Sequence, residues 1–304
     1  MVDKSYKANG KLLLTSEYLI KDGAEGLCLP AKFGQRLNVQ AHSGTGHEWS
    51  SVDADNNIWF NAKFTFDFEI LDTSDEEKAL WLSGLLKKAH SLGTVSFKEA
   101  ARFETILEFP NNWGLGSSST LICLVAKAFD CDPFQLHFSV SNGSGYDIAC
   151  GDASGPIKYA VNEQNVKVSS LNFNPSFKEN IYFIHLNKKQ VSSREVNRYD
   201  DLKKELDMPS LVNLFTDLTE GVSNVEDQKD FERMIVEHEK LMSHILERST
   251  IHESLFSDYS KGVIKSLGAW GGDFFLVTVQ DAADLEFFRK KGYETIISYE
   301  DMII

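Results

Sequence analysis

The sequence predicts an α+β protein, and three features of the 304-residue chain support this fold class. Segments in which apolar and polar residues alternate, as in half-buried strands, dominate the first half. An apolar helical segment follows them near the middle. The chain then ends in a strand–helix–helix–strand–helix–strand order, which is typical of a compact α+β domain. A chain of this length can hold two domains. We place them at 1–179 and 180–304, because Asn174-Pro175 leads into a predicted strand that begins at Ile181, and helices predominate after it.

Composition narrows the class of protein and of partner. A hydrophobic content of 42% and a charged content of 25% are typical of a soluble globular protein. The net charge of −14 argues against a nucleic-acid surface, although a local pocket can still bind an anion. No apolar run is long enough to span a bilayer, and Met1–Lys4 does not lead into a signal peptide. The four cysteines are scattered, which favours a reduced cytoplasmic setting, and no H-x-x-x-H pattern occurs, so we expect no structural zinc. We expect a monomer or a homodimer, although no pattern in the sequence distinguishes the two.

The strands of the first half are separated by stretches rich in Gly, Asp and Asn, which favour turns. A helix is predicted to begin near Ser74, because Glu77 three residues later completes a capping box and an apolar stripe follows. The predicted strands are Lys11–Leu14, Arg36–Ala41, Phe64–Ile70 and Arg102–Phe109.

Helices are more frequent in the second half. One amphipathic helix carries apolar residues at three–four spacing from Phe231 to Ile245. His238 lies on its apolar stripe, which favours a core or boundary histidine over a catalytic one. The other predicted elements are the strands Ile181–Leu186, Phe274–Val279 and Glu294–Ser298 and the helix Ala282–Lys291.

The segment Asn112–Thr120 connects a predicted strand to the apolar helix that continues from Leu121. Its glycines, Gly114 and Gly116, let a ligand approach the backbone closely. Free N–H groups and the positive end of the helix dipole favour an anion there, and phosphate is the natural candidate. In the common nucleotide-binding loop a lysine follows the second glycine. Here no lysine follows Gly116, so backbone amides and hydroxyls would have to bind the phosphate. A serine-rich N-cap also begins many ordinary helices, and the segment alone is compatible with both interpretations.

Four motifs in a fixed order make the phosphate interpretation more specific. Together they resemble the kinase superfamily named for galactokinase, homoserine kinase, mevalonate kinase and phosphomevalonate kinase (GHMP), over almost the whole chain. The string Gly145–Ala149, G-Y-D-I-A, is similar to that of a bacterial subgroup. The motifs are Ala8–Tyr18, Gly114–Ser119, Ser144–Asp147 and Gly268–Gly272.

The resemblance implies a fold, an activity and cofactors. The implied fold is a two-domain GHMP-kinase-like architecture, with a ribosomal-protein-S5-domain-2-like N-terminal domain and a ferredoxin-like α/β C-terminal domain. The implied activity is ATP-dependent transfer of the γ-phosphoryl group to a hydroxyl or phosphate of a small anionic metabolite, with mevalonate and phosphomevalonate as the candidate acceptors. ATP and Mg²⁺ are the implied cofactors, and neither a nucleic acid nor a membrane is an expected partner.

The resemblance also implies roles for individual residues. Asp147 would accept the proton of the attacking hydroxyl, and Lys11 would stabilise charge near the transferred group. Asp147 is also compatible with a turn or cap, and Lys11 with a solvated lysine beside a strand. The nucleotide would be bound by Gly114, Leu115, Gly116, Ser117, Ser118, Ser119 and Thr120, with the hydroxyl of Ser117 or Ser118 reaching the metal. The substrate would be bound by Glu17, Ser144, Gly145, Arg194, Gly271 and Gly272, although a solvated Arg194 and a simple glycine turn remain alternatives.

The sequence departs from the family pattern at several positions. Asn9 replaces a proline, Tyr18 a histidine and Trp270 a glycine, and the position of the magnesium-binding glutamate of mevalonate kinases falls on Leu136. Two alternatives stay open. One is an enzyme similar to the decarboxylase of mevalonate diphosphate, which would use the same aspartate and loop. The other is a degenerate member that binds a nucleotide or metabolite without turnover, which the missing glutamate and Trp270 favour. Asp130 or Asp132 could substitute for the missing glutamate. Alternatively, metal binding could rest on a serine hydroxyl and the nucleotide itself, since Mg²⁺ commonly keeps several waters.

Overall fold

A computed structural model describes residues 3–188, 198–270 and 272–304 of the chain. It confirms the predicted α+β class, with helices and antiparallel strands in both halves. The strands are β1 (Lys4–Leu13), β2 (Gly26–Ala41), β3 (His47–Val52), β4 (Ile58–Phe64), β5 (Ile70–Thr73), β6 (Ala101–Leu107), β7 (Ile157–Asn162), β8 (Asn165–Ser170), β9 (Ile181–His185), β10 (Ile264–Ser266), β11 (Phe274–Thr278) and β12 (Ile296–Ser298). The helices are α1 (Glu76–Leu92), α2 (Ser117–Phe129), α3 (Pro133–Val140), α4 (Tyr146–Cys150), α5 (Met208–Ser223), α6 (Gln228–Ile245), α7 (Ile251–Leu255), α8 (Glu286–Lys290) and α9 (Tyr299–Met302).

The contacts within the chain define two compact units, which interleave along the sequence. The first unit consists of the described residues of Met1–Lys11, Phe33–Asn111 and Leu115–Asp152, and the second of those of Leu12–Lys32, Asn112–Gly114 and Ala153–Ile304. The domain boundary after residue 179 stays a prediction of the sequence.

The first unit is a sheet covered on one face by helices. Its strand order is β5-β4-β3-β6-β2, in which β3 and β6 are parallel and the other pairs antiparallel. Alternate residues of β6, such as Phe103, point into a core that also contains Leu86 of α1 and Leu124 of α2. This burial explains why α2 is apolar on nearly every face: nine of its thirteen residues are buried.

Helix α1 begins one residue later than the capping pattern predicts. Asp75 is its N-cap, and the Asp75 carboxylate accepts a hydrogen bond from the Lys78 amide at 3.1 Å. Glu76 and Glu77 occupy the first turn, where the helix dipole favours negative charge.

The predicted strand Phe64–Ile70 is wrong in its middle part, because a turn separates β4 from β5. The Thr65 hydroxyl oxygen accepts hydrogen bonds from the amides of Asp67 and Glu69, and Phe68 adopts a positive φ of 61°. The alternation of aromatic and polar residues therefore continues across a reversal of the chain. Hydrogen bonds from backbone amides to a nearby threonine hydroxyl offer the backbone an alternative to pairing with another strand.

The second unit contains an antiparallel sheet of order β10-β11-β9-β12. Strand β11 is central and all five of its residues are buried. Phe275 of β11 packs in a core with Phe256 and Phe288. The hairpin of β7 and β8 also belongs to this unit, and β7 pairs with the first residues of β2.

Two helices of the second unit, α5 and α6, contribute buried faces. Phe215 of α5 contacts the ring of His238 of α6 edge-on, with ring centroids 5.0 Å apart. The predicted helix Ala282–Lys291 is a 3₁₀ turn, Ala282–Leu285, followed by α8. Among the described residues, no helix combines the length and apolar character needed to cross a membrane.

Candidate functional site

Lys11 lies near the end of β1, where the backbone is held on both sides. The Lys11 amide donates a hydrogen bond to the Leu115 carbonyl at 3.1 Å, and the Asn9 amide donates to the Gly151 carbonyl at 2.9 Å. Between them, a Cβ atom on Gly10 would lie 2.7 Å from the Phe33 carbonyl oxygen, so only glycine fits. These contacts fix the backbone of Lys11 beside the glycine–serine loop.

Gly116 is the N-cap of α2 and adopts a left-handed conformation with φ of 91°. It supplies no side-chain cap to the helix, so the first amides of α2 can serve a ligand instead. A Cβ atom on Gly116 would lie 3.3 Å from both Cγ and Cε of Lys11. The lysine stem therefore runs directly along the start of α2.

The hydroxyl groups that follow Gly116 divide into two sets. Ser117 and Ser118 are only partly covered, so both remain accessible at the helix start. Ser119 and Thr120 are buried and turn toward the protein. The Ser119 hydroxyl donates to the Asp147 carboxylate, and the Thr120 hydroxyl lies 2.7 Å from Oε1 of Gln35.

Asp147 is the second residue of the short helix α4, whose N-cap is Gly145 with φ of 83°. Its carboxylate is half-buried and accepts the Ser119 hydroxyl, which links α4 to the first turn of α2. The preceding residue, Tyr146, places its ring centroid 5.6 Å from Nζ of Lys11. Lys11, Ser119 and Asp147, which are far apart in sequence, thus come together within the first unit.

Gly114 belongs to the second unit and contacts a residue that the sequence analysis did not single out. Its φ is 68°, and a Cβ atom there would lie 2.2 Å from the carboxyl carbon of Asp273. Asp273 has a positive φ of 58° and donates its amide to the Lys188 carbonyl at 2.7 Å. The glycine is required at this position by both its backbone conformation and the neighbouring carboxylate.

Trp113 anchors the same short stretch of the second unit. Its ring packs edge-on against Phe274, with centroids 5.3 Å apart. Nε2 of His185 lies 2.9 Å from the Asn112 carbonyl oxygen. An aromatic contact and a hydrogen bond therefore hold the residues just before Gly114.

Of the predicted substrate residues that the structure describes, two lie next to Asp147 in the first unit, and the others do not. Ser144 is half-buried, and Gly145 is buried as the N-cap of α4, next to Asp147. Gly272 is buried in the second unit. Arg194 and Gly271 lie outside the described residues.

Glu17 is only 1% exposed and belongs to a buried cluster of charged side chains in the second unit. Nζ of Lys265 lies 2.5 Å from Oε1 of Glu17 and 3.5 Å from Oε1 of Glu239. Nε2 of His238 lies 3.1 Å from Oε2 of Glu17 and accepts the Ser16 amide at 3.0 Å. We call Glu17, His238, Glu239 and Lys265 the buried charge cluster.

The charges of this cluster balance when Glu239 is neutral. Burial raises the pKa of Glu17, but Lys265 and then His238 lower it by more in total, so that its pKa lies below the usual range. Burial raises the pKa of Glu239 to about 7, although Lys265 opposes the shift. Burial and the nearby Lys265 both lower the pKa of His238, which fits its role as an acceptor from the Ser16 amide. The cluster then contains one carboxylate and one ammonium.

The described residues contain no group of three or more His, Cys, Asp or Glu side chains able to hold a metal ion by themselves. A Mg²⁺ ion needs fewer protein ligands when nucleotide phosphates and waters supply the others. The accessible hydroxyls of Ser117 and Ser118 at the start of α2 are compatible with that mode of binding.

Sequence reasoning assigned no role to Tyr146 and Asp273, although Tyr146 lies inside the motif Ser144–Asp147 and Asp273 directly follows the motif Gly268–Gly272. Tyr146 stands between Gly145 and Asp147, and its aromatic character was a signal for a contact with a cation. Asp273 follows Gly272 directly, and an acidic residue after a glycine run was the signal there. The cluster around Glu17 left no such signal, because its members are separated by up to 248 residues.

No protein-family model matches the chain, and no curated protein matches it. Solved structures match over nearly the full length. The Lin0012 protein from Listeria innocua has a TM-score of 0.75 at 15% identity, with 96% of each chain covered. Lactococcus lactis galactokinase complexed with galactose has a TM-score of 0.70 at 12% identity, covering 99% of this chain and 93% of that one.

A third structure is Streptococcus pneumoniae phosphomevalonate kinase in complex with phosphomevalonate and AMPPNP. Its TM-score is 0.69 at 16% identity, with 98% of this chain and 100% of that chain covered. At such identities the likeness concerns the fold, and it extends through both halves of the sequence. The chain therefore has the fold of the GHMP kinase superfamily, as its motifs predict.

Proposed function

We propose that this protein is an ATP-dependent small-molecule kinase. The observation that carries the proposal is the grouping of Lys11, the start of α2 and the Ser119–Asp147 pair within one unit. Phosphoryl transfer requires an anion cradle, a cation near the transferred group and a positioned base. Each of these is supplied here by a different element: α2, β1 and α4.

The start of α2 would hold the nucleotide phosphates. Its helix is thirteen residues long and begins at a glycine that gives no side-chain cap. Its first amides and its dipole would therefore act on the anion. The accessible hydroxyls of Ser117 and Ser118 would add donors, whereas Leu115 is fully buried and would contribute only its backbone.

Asp147 would accept the proton of the attacking hydroxyl. The Ser119 hydroxyl, which donates to the Asp147 carboxylate, would orient it toward the acceptor. Lys11 would place a positive charge beside the start of α2 and offset the negative charge that develops on the transferred group. Mg²⁺ would neutralise phosphate charge when it is bound with the nucleotide, with Ser117 or Ser118 as protein ligand.

The acceptor would be a small anionic metabolite with a free hydroxyl or phosphate, and mevalonate and phosphomevalonate are the first candidates. This choice is supported by the sequence motifs and by the fold shared with phosphomevalonate kinase. Ser144 and Gly145, which precede Asp147, would line its site. We leave Glu17 out, because Lys265 already pairs with its buried carboxylate. Arg194, Gly271 and Gly272 stay predictions of the sequence.

The test is a panel of acceptors with ATP and Mg²⁺, in which release of ADP and of CO₂ is measured separately. The panel contains mevalonate, phosphomevalonate, mevalonate diphosphate and galactose. ADP release without CO₂ supports the kinase, and CO₂ release from mevalonate diphosphate would support a decarboxylase instead.

Asp147→Asn provides the matched variant. We expect kcat to fall by about a thousandfold or more, with little change in the affinity for AMPPNP, because the amide keeps the shape but cannot accept the proton. Asp152→Asn, at an exposed carboxylate of the same unit, is the control. If the parent protein binds AMPPNP but transfers phosphate to no acceptor, a non-catalytic binding protein replaces this proposal.

A further inference from the structure

The ring of Tyr146 lies beside the ammonium group of Lys11, with 5.6 Å between Nζ and the ring centroid. We propose that Tyr146 is a positioning residue, whose ring holds the Lys11 ammonium at the start of α2 before the nucleotide binds. The kinetic consequence of this role rests on the proposed function, whereas its structural consequence rests on the contact itself.

Lys11 is confined from two directions. On one side its stem runs along Gly116, where a Cβ atom would lie 3.3 Å from Cγ and Cε. On the other side is the ring of Tyr146, within the distance of about 6 Å at which a cation and an aromatic face attract. The glycine contact acts on the stem of the lysine, and the ring acts on its ammonium end.

Conformational entropy makes this confinement useful. A lysine side chain has four rotatable carbon–carbon bonds and loses much freedom when it is held in one place. A charge that stabilises a transition state is most effective when it is already oriented in the free protein. A ring that binds the ammonium in the nucleotide-free protein would already orient the charge before the substrate binds.

Tyr146 lies outside the hydrophobic core of the first unit. Ile148, two residues later, is 3% exposed and packs in the hydrophobic core of the first unit, whereas Tyr146 is half-buried. Tyr146 is also the immediate neighbour of Asp147 on the short helix α4. One helix turn therefore sets both the ring that faces Lys11 and the carboxylate that accepts the Ser119 hydroxyl.

A spectroscopic measurement tests the contact without any need for activity. The protein is labelled with ¹³C at Cε of lysine, and the Lys11 resonance is assigned by its loss in Lys11→Arg. Protons above an aromatic face are shifted upfield, so we expect an upfield Hε signal in the parent and in Tyr146→Phe. In Tyr146→Leu the signal should lose this upfield shift and move downfield. An unchanged signal in Tyr146→Leu overturns the inference.

Kinetic measurements test the consequence for phosphoryl transfer. We expect Tyr146→Leu to lower kcat by about threefold to thirtyfold, the range that corresponds to one cation–π contact. KM for ATP should change less, because the contribution belongs to the transition state. Tyr146→Phe should retain most of kcat, since the ring and not the hydroxyl makes the contact.

A control separates this role from a general loss of packing. Phe138 of α3 is another half-buried aromatic residue of the first unit, and it packs against Phe134 and His137. Phe138→Leu should leave both kcat and the Lys11 signal as in the parent. Equal losses of kcat in Tyr146→Phe and Tyr146→Leu would overturn the ring-based role and assign function to the hydroxyl. If the parent binds no nucleotide, the proposed function fails, and the Lys11 signal still decides whether the ring positions the ammonium.

Discussion

At the scale of single residues, the Ser119–Asp147 hydrogen bond is the most direct link between the serine-rich loop and the candidate base. Ser119 is 8% exposed, so water cannot easily replace its hydroxyl if it is removed. The same hydroxyl both satisfies one carboxylate oxygen and limits the rotation of the Asp147 side chain. Its removal should therefore affect orientation more than binding.

We expect Ser119→Ala to lower kcat by about tenfold to a hundredfold while the affinity for AMPPNP changes little, because a hydrogen bond to a charged group contributes about 1.5–3 kcal/mol. The measurement is steady-state phosphotransfer combined with nucleotide titration. Ser139→Ala on α3, whose hydroxyl donates to the Leu136 carbonyl at 2.7 Å, is the control outside the site. A Ser119→Ala variant with parental kcat would show that Asp147 needs no such orientation.

At the scale of elements, the start of α2 depends on one backbone conformation. Gly116 has φ of 91°, which side chains with a Cβ rarely adopt, and the Lys11 stem occupies the space in front of it. Two independent conditions thus select glycine, one from the backbone and one from a neighbouring strand.

We expect Gly116→Ala to destabilise the protein by about 1–3 kcal/mol, the cost of a strained residue, and to weaken AMPPNP binding by at least about tenfold. Urea unfolding and nucleotide titration measure the two effects. Gly84→Ala is the matched control: this glycine lies inside α1, and a Cβ atom there would meet no neighbouring atom of the described residues within 4 Å. Alanine there should stabilise the helix by about 0.5–1 kcal/mol. Nucleotide affinity equal to the parent's in Gly116→Ala would argue against phosphate binding at this helix start.

The elements also show which features can be predicted from sequence. The succession of β6, the glycine–serine loop and α2 follows from periodicity and turn chemistry that are local to the segment. The break at Thr65–Glu69 does not, because the polar–apolar alternation continues through the turn and only hydrogen bonds of Thr65 reveal it. Strand β10 has only three residues, and it is a strand because it pairs with β11. No local sequence pattern predicts that pairing.

At the scale of the whole molecule, pH should act on stability through Glu239. The pKa of Glu239 is about 7 in the folded protein, against 4.5 for an ordinary glutamate, which we take for the unfolded chain. Between pH 4.5 and pH 7 the folded state therefore holds a proton that the unfolded state has lost. Stability contributed by Glu239 is complete below about 4.5 and is lost as the pH rises through about 7. The groups that face it are Lys265, Glu17 and the Ser266 hydroxyl, with His238 in the same cluster.

Comparison of the parent with Glu239→Gln isolates this contribution, because glutamine resembles the protonated acid. From pH 5 to pH 8 the variant should gain stability relative to the parent, by about 3 kcal/mol at most. Urea unfolding at several pH values measures the difference. The lowered pKa values of Glu17 and His238 act with the opposite sign, since they reduce stability as the pH falls, and they do so in both proteins. A stability difference that stays constant with pH would contradict a protonated Glu239.

The whole molecule also sets the limit of sequence reasoning about the site. Motif order predicts the fold, and it names Lys11, Ser119 and Asp147 as separate candidates. That these three meet in one unit could be expected only from the resemblance. The pairing of Glu17 with Lys265 could not be expected at all, because neither residue lies in a pattern that refers to the other.

The buried charge cluster has a consequence for the history of the sequence. Loss of Lys265 alone leaves the buried Glu17 carboxylate without its ammonium partner, at a cost of about 3–5 kcal/mol. Loss of Glu17 alone leaves the ammonium only Glu239, which would have to give up its proton. Joint replacement of both by apolar residues of similar volume can be neutral. Single substitutions at Glu17 or Lys265 are therefore disfavoured, whereas a double substitution is not. Descendants of this chain should either keep both ions or have exchanged them together.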